Sequence, residues 1–159
     1  MAALLKKAST PGLASLLEQL PEARKALPKD SPQLAGLLAQ IGQGLLGQKK
    51  WTESEPVLRE CLAIREKLLP DEWTTFNTRS LLGGGLLGQR KYAEAEPLIV
   101  SGYEDMKARE AKIPPPSKPG FTEASERVLK LYEAWGKPDK VAEWRAKLAK
   151  PTDEAKHRP

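Results

Sequence analysis

Residues 42–58 read Gly42-Gln43-Gly44-Leu45-Leu46-Gly47-Gln48-Lys49-Lys50-Trp51-Thr52-Glu53-Ser54-Glu55-Pro56-Val57-Leu58. Residues 83–99 repeat them as Gly83-Gly84-Gly85-Leu86-Leu87-Gly88-Gln89-Arg90-Lys91-Tyr92-Ala93-Glu94-Ala95-Glu96-Pro97-Leu98-Ile99. The offset is a constant 41 residues, as from Gly47 to Gly88, and most differences keep their character: Lys49 for Arg90, Trp51 for Tyr92. Self-similarity at a period of about 20–50 residues marks a chain built by stacking one supersecondary unit, because a unit of that size cannot bury its apolar face alone. The stretch specifies architecture and says little about chemistry.

Upstream, Ser31-Pro32 supplies an N-cap followed by proline at the first helical position, and Leu34, Leu37, Leu38, Ile41 and Leu45 make one apolar stripe. This predicts a helix ending near Gly47. Thr52 with Glu55 three residues on has the form of a capping box. Val57, Leu58, Cys61, Leu62, Leu68 and Leu69 then give the apolar side of a partner helix. Pro56 and Pro97 mark the starts of the second helices, where a missing backbone N–H costs little. The next pair is expected from about Glu72 to Gly88, with Phe76, Leu82 and Leu86 inward and Trp73 anchoring its start, and from about Tyr92 to Lys112.

Ile113-Pro114-Pro115-Pro116-Ser117-Lys118-Pro119-Gly120 is too rich in proline for a helix and is expected to form a semi-rigid extended spacer. Thr122 then caps a helix carrying Val128, Leu131, Tyr132 and Trp135. Gly136-Lys137-Pro138-Asp139 turns the chain, and Val141, Trp144 and Leu148 line a last helix ending before Pro151. At the amino end Thr10-Pro11 has the cap-and-proline form, with Leu13, Leu16, Leu17 and Leu20 on one face and Pro21 expected to kink or end the helix. The organisation expected is a capping helix region over 1–30, two well-formed repeats over 31–112, the spacer over 113–120, a degenerate pair over 121–150 and a disordered tail over 151–159. No stretch shows sustained alternation of period two, so no sheet is expected.

The 159 residues suit one domain, and 40% hydrophobic with 30% charged residues gives it a core to bury. No apolar run approaches the roughly 20 residues of a membrane span or forms a signal peptide, which favours a cytoplasmic location. A net charge of +5 over 26 basic and 21 acidic residues favours solubility more than nucleic-acid binding. Cys61 is the one cysteine and His157 the one histidine, so neither a disulfide nor a Cys/His metal site can be assembled, and Ser/His/Asp catalysis would depend on a tail residue.

Both copies contain Gly-x-Gly-x-x-Gly, at Gly42, Gly44, Gly47 and at Gly83, Gly85, Gly88. As a phosphate cradle that motif needs a strand before it and a helix after it. Here it lies late in a helical stripe, and close approach of neighbouring helices explains it better, at about 1 kcal/mol per glycine relative to alanine. Glu53, Glu55, Glu94 and Glu96 lie at helix starts, where the macrodipole accounts for them. Cys61 falls on an apolar stripe as a small buried hydrophobe. No catalytic, cofactor or metal site is indicated.

The pattern Leu38-x2-Ile41-Gly42-x2-Leu45 followed by Trp51-x2-Ser54-x3-Leu58 resembles the tetratricopeptide repeat, and Leu82, Gly83, Leu86, Tyr92, Ala95 and Ile99 follow it in the second copy, with Arg79 where a large apolar residue is expected. The run from Glu55 to Lys67 is similar to the kinesin light chain type of this repeat. Asp71 to Asn77 and Lys112 to Pro116 resemble repeat regions attached to bacterial serine/threonine kinases. The third pair departs from the pattern at Leu129 and Arg145 and resembles a degenerate terminal cap. No kinase motifs are present.

The resemblance implies an all-α, right-handed superhelical solenoid of antiparallel helix pairs, about three pairs plus an N-terminal helix. It implies a non-catalytic scaffold that binds a peptide or helical segment of a protein partner in a concave groove lined by the first helix of each pair. The groove positions carried over are Gly36, Ala39, Gln40 and Gln43, then Asn77, Ser80 and Gly84, then Glu126, Arg127 and Lys130. Gln40, Gln43, Asn77 and Ser80 would donate and accept hydrogen bonds, with Arg127 and Lys130 adding positive charge. Most of these positions are small or neutral, which argues against a chaperone-type carboxylate clamp. The alternatives are a regulatory appendage of a kinase or signalling assembly, and self-association through a solenoid end near Trp135 and Trp144.

Overall fold

Each apolar stripe is carried by a helix, and among the described residues all regular structure is helical. The structure, a computed structural model, describes residues 12–149. Its helices are α1 (Leu13–Ala26), α2 (Pro32–Gly47), α3 (Trp51–Leu68), α4 (Trp73–Gly88), α5 (Tyr92–Ala108), α6 (Lys118–Ala134) and α7 (Pro138–Ala149). Three hairpins, α2/α3, α4/α5 and α6/α7, follow the lone α1. The second helix of each of the first two hairpins packs on its own partner and on the first helix of the next, so α2, α4 and α6 lie side by side. This is a solenoid. No helix among the described residues is long and apolar enough to cross a membrane.

What sets the distance between partner helices is a missing side chain. A Cβ at Gly42 would lie 2.3 Å from Leu58 Cδ2, and one at Gly83 would lie 2.4 Å from Ile99 Cγ1. These are the same contact, 41 residues apart at both ends. Leu58 and Ile99 are both fully buried and occupy the space that the glycines leave. The middle of the α4 glycine run serves two further neighbours: Gly84 faces Arg127 of α6, and Gly85 faces Ser54 of α3. Three consecutive glycines in one helix thus meet three different helices.

The turns inside the hairpins share one geometry. Lys49 (φ 59°), Arg90 (φ 62°) and Gly136 (φ 71°) occupy the left-handed region just past a helix. Behind each, a six-residue bond closes the helix end: Lys50 N to Leu45 O, Lys91 N to Leu86 O and Lys137 N to Tyr132 O, all at 2.9 Å. This is the Schellman arrangement, which satisfies carbonyls otherwise left open. Only the third hairpin uses glycine for it.

The helix starts differ from expectation in several places. Ser31 does cap α2, its Oγ accepting from Leu34 N at 3.0 Å. The Thr52/Glu55 capping box does not form: α3 begins at Trp51, and Glu55 instead accepts from Gln89 Nε2 at 2.8 Å and from Arg59. Pro21 does not end α1, which continues to Ala26, and Pro56 and Pro97 sit in the second turn of their helices rather than at the start. In all three cases the proline and the residue four before it are exposed, so the carbonyl left without a donor faces water. Thr10-Pro11 and the tail over 151–159, His157 included, lie outside the described residues.

Residues 113–120 are not an extended spacer. After α5 the chain makes short 3-10 turns over Glu110–Lys112 and Pro115–Ser117, and α6 begins at Lys118 with Pro119 in its first turn. Proline suits that position because its absent N–H has no partner there anyway. Ile113 is buried against Phe76, Met106 and Ala124, which pins the connection to the core. Thr122 therefore lies inside α6 and caps nothing; its hydroxyl donates to Lys118 O.

Replacing Gly83 with alanine places a methyl against the branched side chain of Ile99 and within 3.2 Å of its backbone N. Overpacking of this kind costs about 1–3 kcal/mol, more than the roughly 1 kcal/mol that alanine returns in helix propensity. Gly83→Ala is expected to lower stability in urea unfolding, and Ile99→Ala, which removes the clashing Cγ1, to cost less in the Gly83→Ala background than in the native chain. A stabilised single variant would show that the spacing is not set there.

Candidate functional site

The side-by-side first helices leave a groove of about 1400 Å³ on their open face. α2 contributes Gln43, Leu46 and Gly47; α4 contributes Trp73, Asn77, Leu81, Gly84, Leu87 and Gly88; α6 contributes Gly120, Glu123, Glu126, Arg127, Lys130, Glu133 and Ala134. Pro116 and Ser117 wall the end where α4 and α6 begin. Trp51, Arg90 and Tyr92, from the hairpin joints, line the opposite end.

Of the expected groove residues, Gln43, Asn77, Gly84, Glu126, Arg127 and Lys130 are brought together here. Gln40 is exposed one turn earlier on α2 and is not part of the lining. Ala39 turns into the core with Leu38, Cys61 and Ile64, and Gly36 is not in the lining either. Ser80 is fully buried, and its Oγ accepts from Arg127 Nη1 at 2.6 Å. It is unavailable to a ligand and instead holds the arginine.

That arginine crosses α4 because Gly84 lets it. A Cβ at Gly84 would lie 2.8 Å from Arg127 Nε. Burial pushes the Arg127 guanidinium below its ordinary value, while the carboxylates of Glu123 and Glu126 pull the other way. Its charge is set into the floor. The amides of Gln43 and Asn77 make no hydrogen bond within the chain among the described residues, so each keeps its donors and acceptor for a visitor.

The aromatic members of the groove were not anticipated from the sequence. Trp51 lies over Gly88, where a Cβ would sit 2.2 Å from the indole. Tyr92, its repeat equivalent, stacks on Trp135 with centroids 5.8 Å apart. A signal existed in their shared position, 41 residues apart at the start of each second helix, but only the turn geometry shows that this joint faces the groove. Of the two tryptophans near the carboxy-terminal edge, Trp144 is buried, and Trp135 is half-buried and stacked on Tyr92 and Tyr132.

With this groove in place the described residues form a helix-pair solenoid with an open concave face. Residues 34–72 match the family described as Tetratricopeptide repeat. Among solved structures, a point variant of the Podosopora anserina kinesin light chain nearly identical TPR-like repeats matches with a TM-score of 0.65 at 16% identity, covering 85% of this chain and 62% of that one. A second structure of those Podosopora anserina repeats matches with a TM-score of 0.60 at 16% identity, covering 87% of this chain and 68% of that one. The chain thus spans less than two thirds of the first of these structures. Comparison with curated protein sequences finds no match. Residues 34–72 thus carry the tetratricopeptide repeat match, and the described helix pairs share the fold of the kinesin light chain TPR-like repeats.

The groove's α6 wall is tied to α5 by Tyr132, whose hydroxyl donates to Glu96 Oε2 at 2.8 Å. Burial, and then this carboxylate acceptor, push the Tyr132 phenol up to about 12. Because the folded phenol holds its proton more tightly than the unfolded one, at about 10, this contribution to stability is complete below about pH 10 and is lost as pH rises through about 12. Tyr132→Phe is expected to flatten that alkaline loss in denaturant unfolding. Parallel losses in both proteins would show that the contact does not form.

Proposed function

We propose that this protein is a non-catalytic interaction module that binds a peptide segment of a protein partner in the α2/α4/α6 groove. The observation that carries the reading is a groove of about 1400 Å³ that joins apolar and aromatic walls to uncommitted polar groups. Its volume exceeds the roughly 300–1,000 Å³ of small-molecule pockets. Trp51, Trp73, Leu46 and Leu87 offer apolar contact area, and the free amides of Gln43 and Asn77 offer orientation. Large amphipathic aromatics of this kind dominate binding energy at protein interfaces. The tetratricopeptide fold supports the same reading, since such repeats mediate protein–protein interaction.

Gln43→Glu combined with Asn77→Arg alters only groups without internal hydrogen bonds, so stability should stay within about 0.5 kcal/mol. In affinity capture from source-cell lysate read by mass spectrometry, partners held by the native chain should be lost with the double variant. Equal recovery would move the binding surface away from the groove.

A further inference from the structure

The charges in the groove are segregated by position. Glu123 and Glu126 lie toward the end where α4 and α6 begin, with Trp73 and Asn77. Lys130 and Arg90 lie toward the other end, with Leu87 and Tyr92. Neither acid nor either cation forms an ion pair among the described residues. Glu133, also at the basic end, is already bonded to Arg145 at 3.2 Å and does not neutralise it. Arg127, held by Ser80, sits in the floor between.

We infer that the groove selects an extended peptide segment of mixed charge, with a basic residue over Glu123 and Glu126 and an acidic residue about three positions away over Lys130 and Arg90. This rests on the groove being the binding surface and adds what that surface prefers. The extended form follows from the amides. A helix satisfies its backbone internally, whereas an extended segment presents N–H and C=O groups that Gln43 and Asn77 are free to pair. The spacing follows from α6. Glu123 and Lys130 are seven residues apart in a helix rising ~1.5 Å per residue, a span of ~10 Å that three residues of extended chain in the polyproline II form cover at ~3.1 Å each, and that form's three residues per turn bring both side chains to one face. A uniformly acidic segment meets Glu123 and Glu126, and a uniformly basic one meets Lys130 and Arg90. Each wrong pattern sets like charges together.

Four capped heptapeptides test this: acetyl-Ala-Lys-Leu-Ala-Glu-Leu-Ala-amide, its versions with Glu for Lys or Lys for Glu, and a neutral version with Gln at both sites. Binding is read by the fluorescence of the groove tryptophans. The mixed peptide is expected to bind at least about tenfold more tightly than the uniformly charged ones, and the advantage should shrink near 1 M salt, where screening acts over about 3 Å. Glu126→Lys should shift the preference to the acidic peptide, and Lys130→Glu to the basic one. Both positions are exposed, and retained helicity by circular dichroism certifies the variants. Equal binding of all four peptides, preference for one uniform charge in the native chain, or no binding overturns the inference. If peptides bind without charge preference but lose binding with Gln43→Glu and Asn77→Arg, the groove stands and the charge rule falls. If that double variant binds the mixed peptide as before, the groove itself is the wrong surface.

Discussion

Everything in this solenoid depends on the close contact of paired helices across a glycine. Leu58 over Gly42 and Ile99 over Gly83 fill space that any side chain would take, and both are wholly buried. In the first two hairpins the contact holds the second helix tight against the first. The shared Schellman turns then fix the angle at which it returns. Because the spacing and the turn recur at 41 residues in the first two hairpins, those stack in register, and α6 packs beside α4 to extend the wall of first helices. The groove is a consequence of that regularity.

Substitutions against the family pattern are absorbed by local chemistry. Arg79, where a large apolar residue is expected, lies with its guanidinium 5.1 Å from the Phe76 ring centroid and bonds to Glu66 at 3.3 Å and Asp105 at 3.2 Å. It covers apolar surface with its stem and joins α3 to α5 with its head. Arg145 on α7 pairs with Glu133 of α6 in a similar way. These exposed or half-exposed ion pairs contribute little energy each, about 0–1 kcal/mol, and more to orientation. The longer connection before α6 is likewise part of the architecture, since Ile113 anchors it in the core and Pro116 and Ser117 wall the groove.

The helices, their pairing and the stacked fold were legible in the sequence because the signals were periodic: the stripe from Leu34 to Leu45 and the duplicated Gly42–Leu58 segment leave few alternatives. Features that depend on contacts rather than period were not legible. Prolines 114 to 119 suggested an extended spacer, yet Pro119 occupies the first turn of a helix, where its missing N–H has no partner to lose, and the burial of Ile113 is a tertiary fact. Ser80 and Gln43 looked alike as polar groove positions. They part because Arg127 reaches across Gly84 to Ser80, a contact 47 residues long in sequence. Trp51 and Tyr92 joined the groove only once the turn was known to face it.

The central claim is that the free amides of the groove are where a partner segment docks. The most direct measurement is a titration of the 15N-labelled full chain with the mixed-charge heptapeptide, following the side-chain amide resonances of Gln43 and Asn77. Both are expected to shift together and saturate at one stoichiometric site, with the resonances of α3, α5 and α7 little changed. Amide signals that stay still while shifts gather on α3, α5 and α7 would contradict the account.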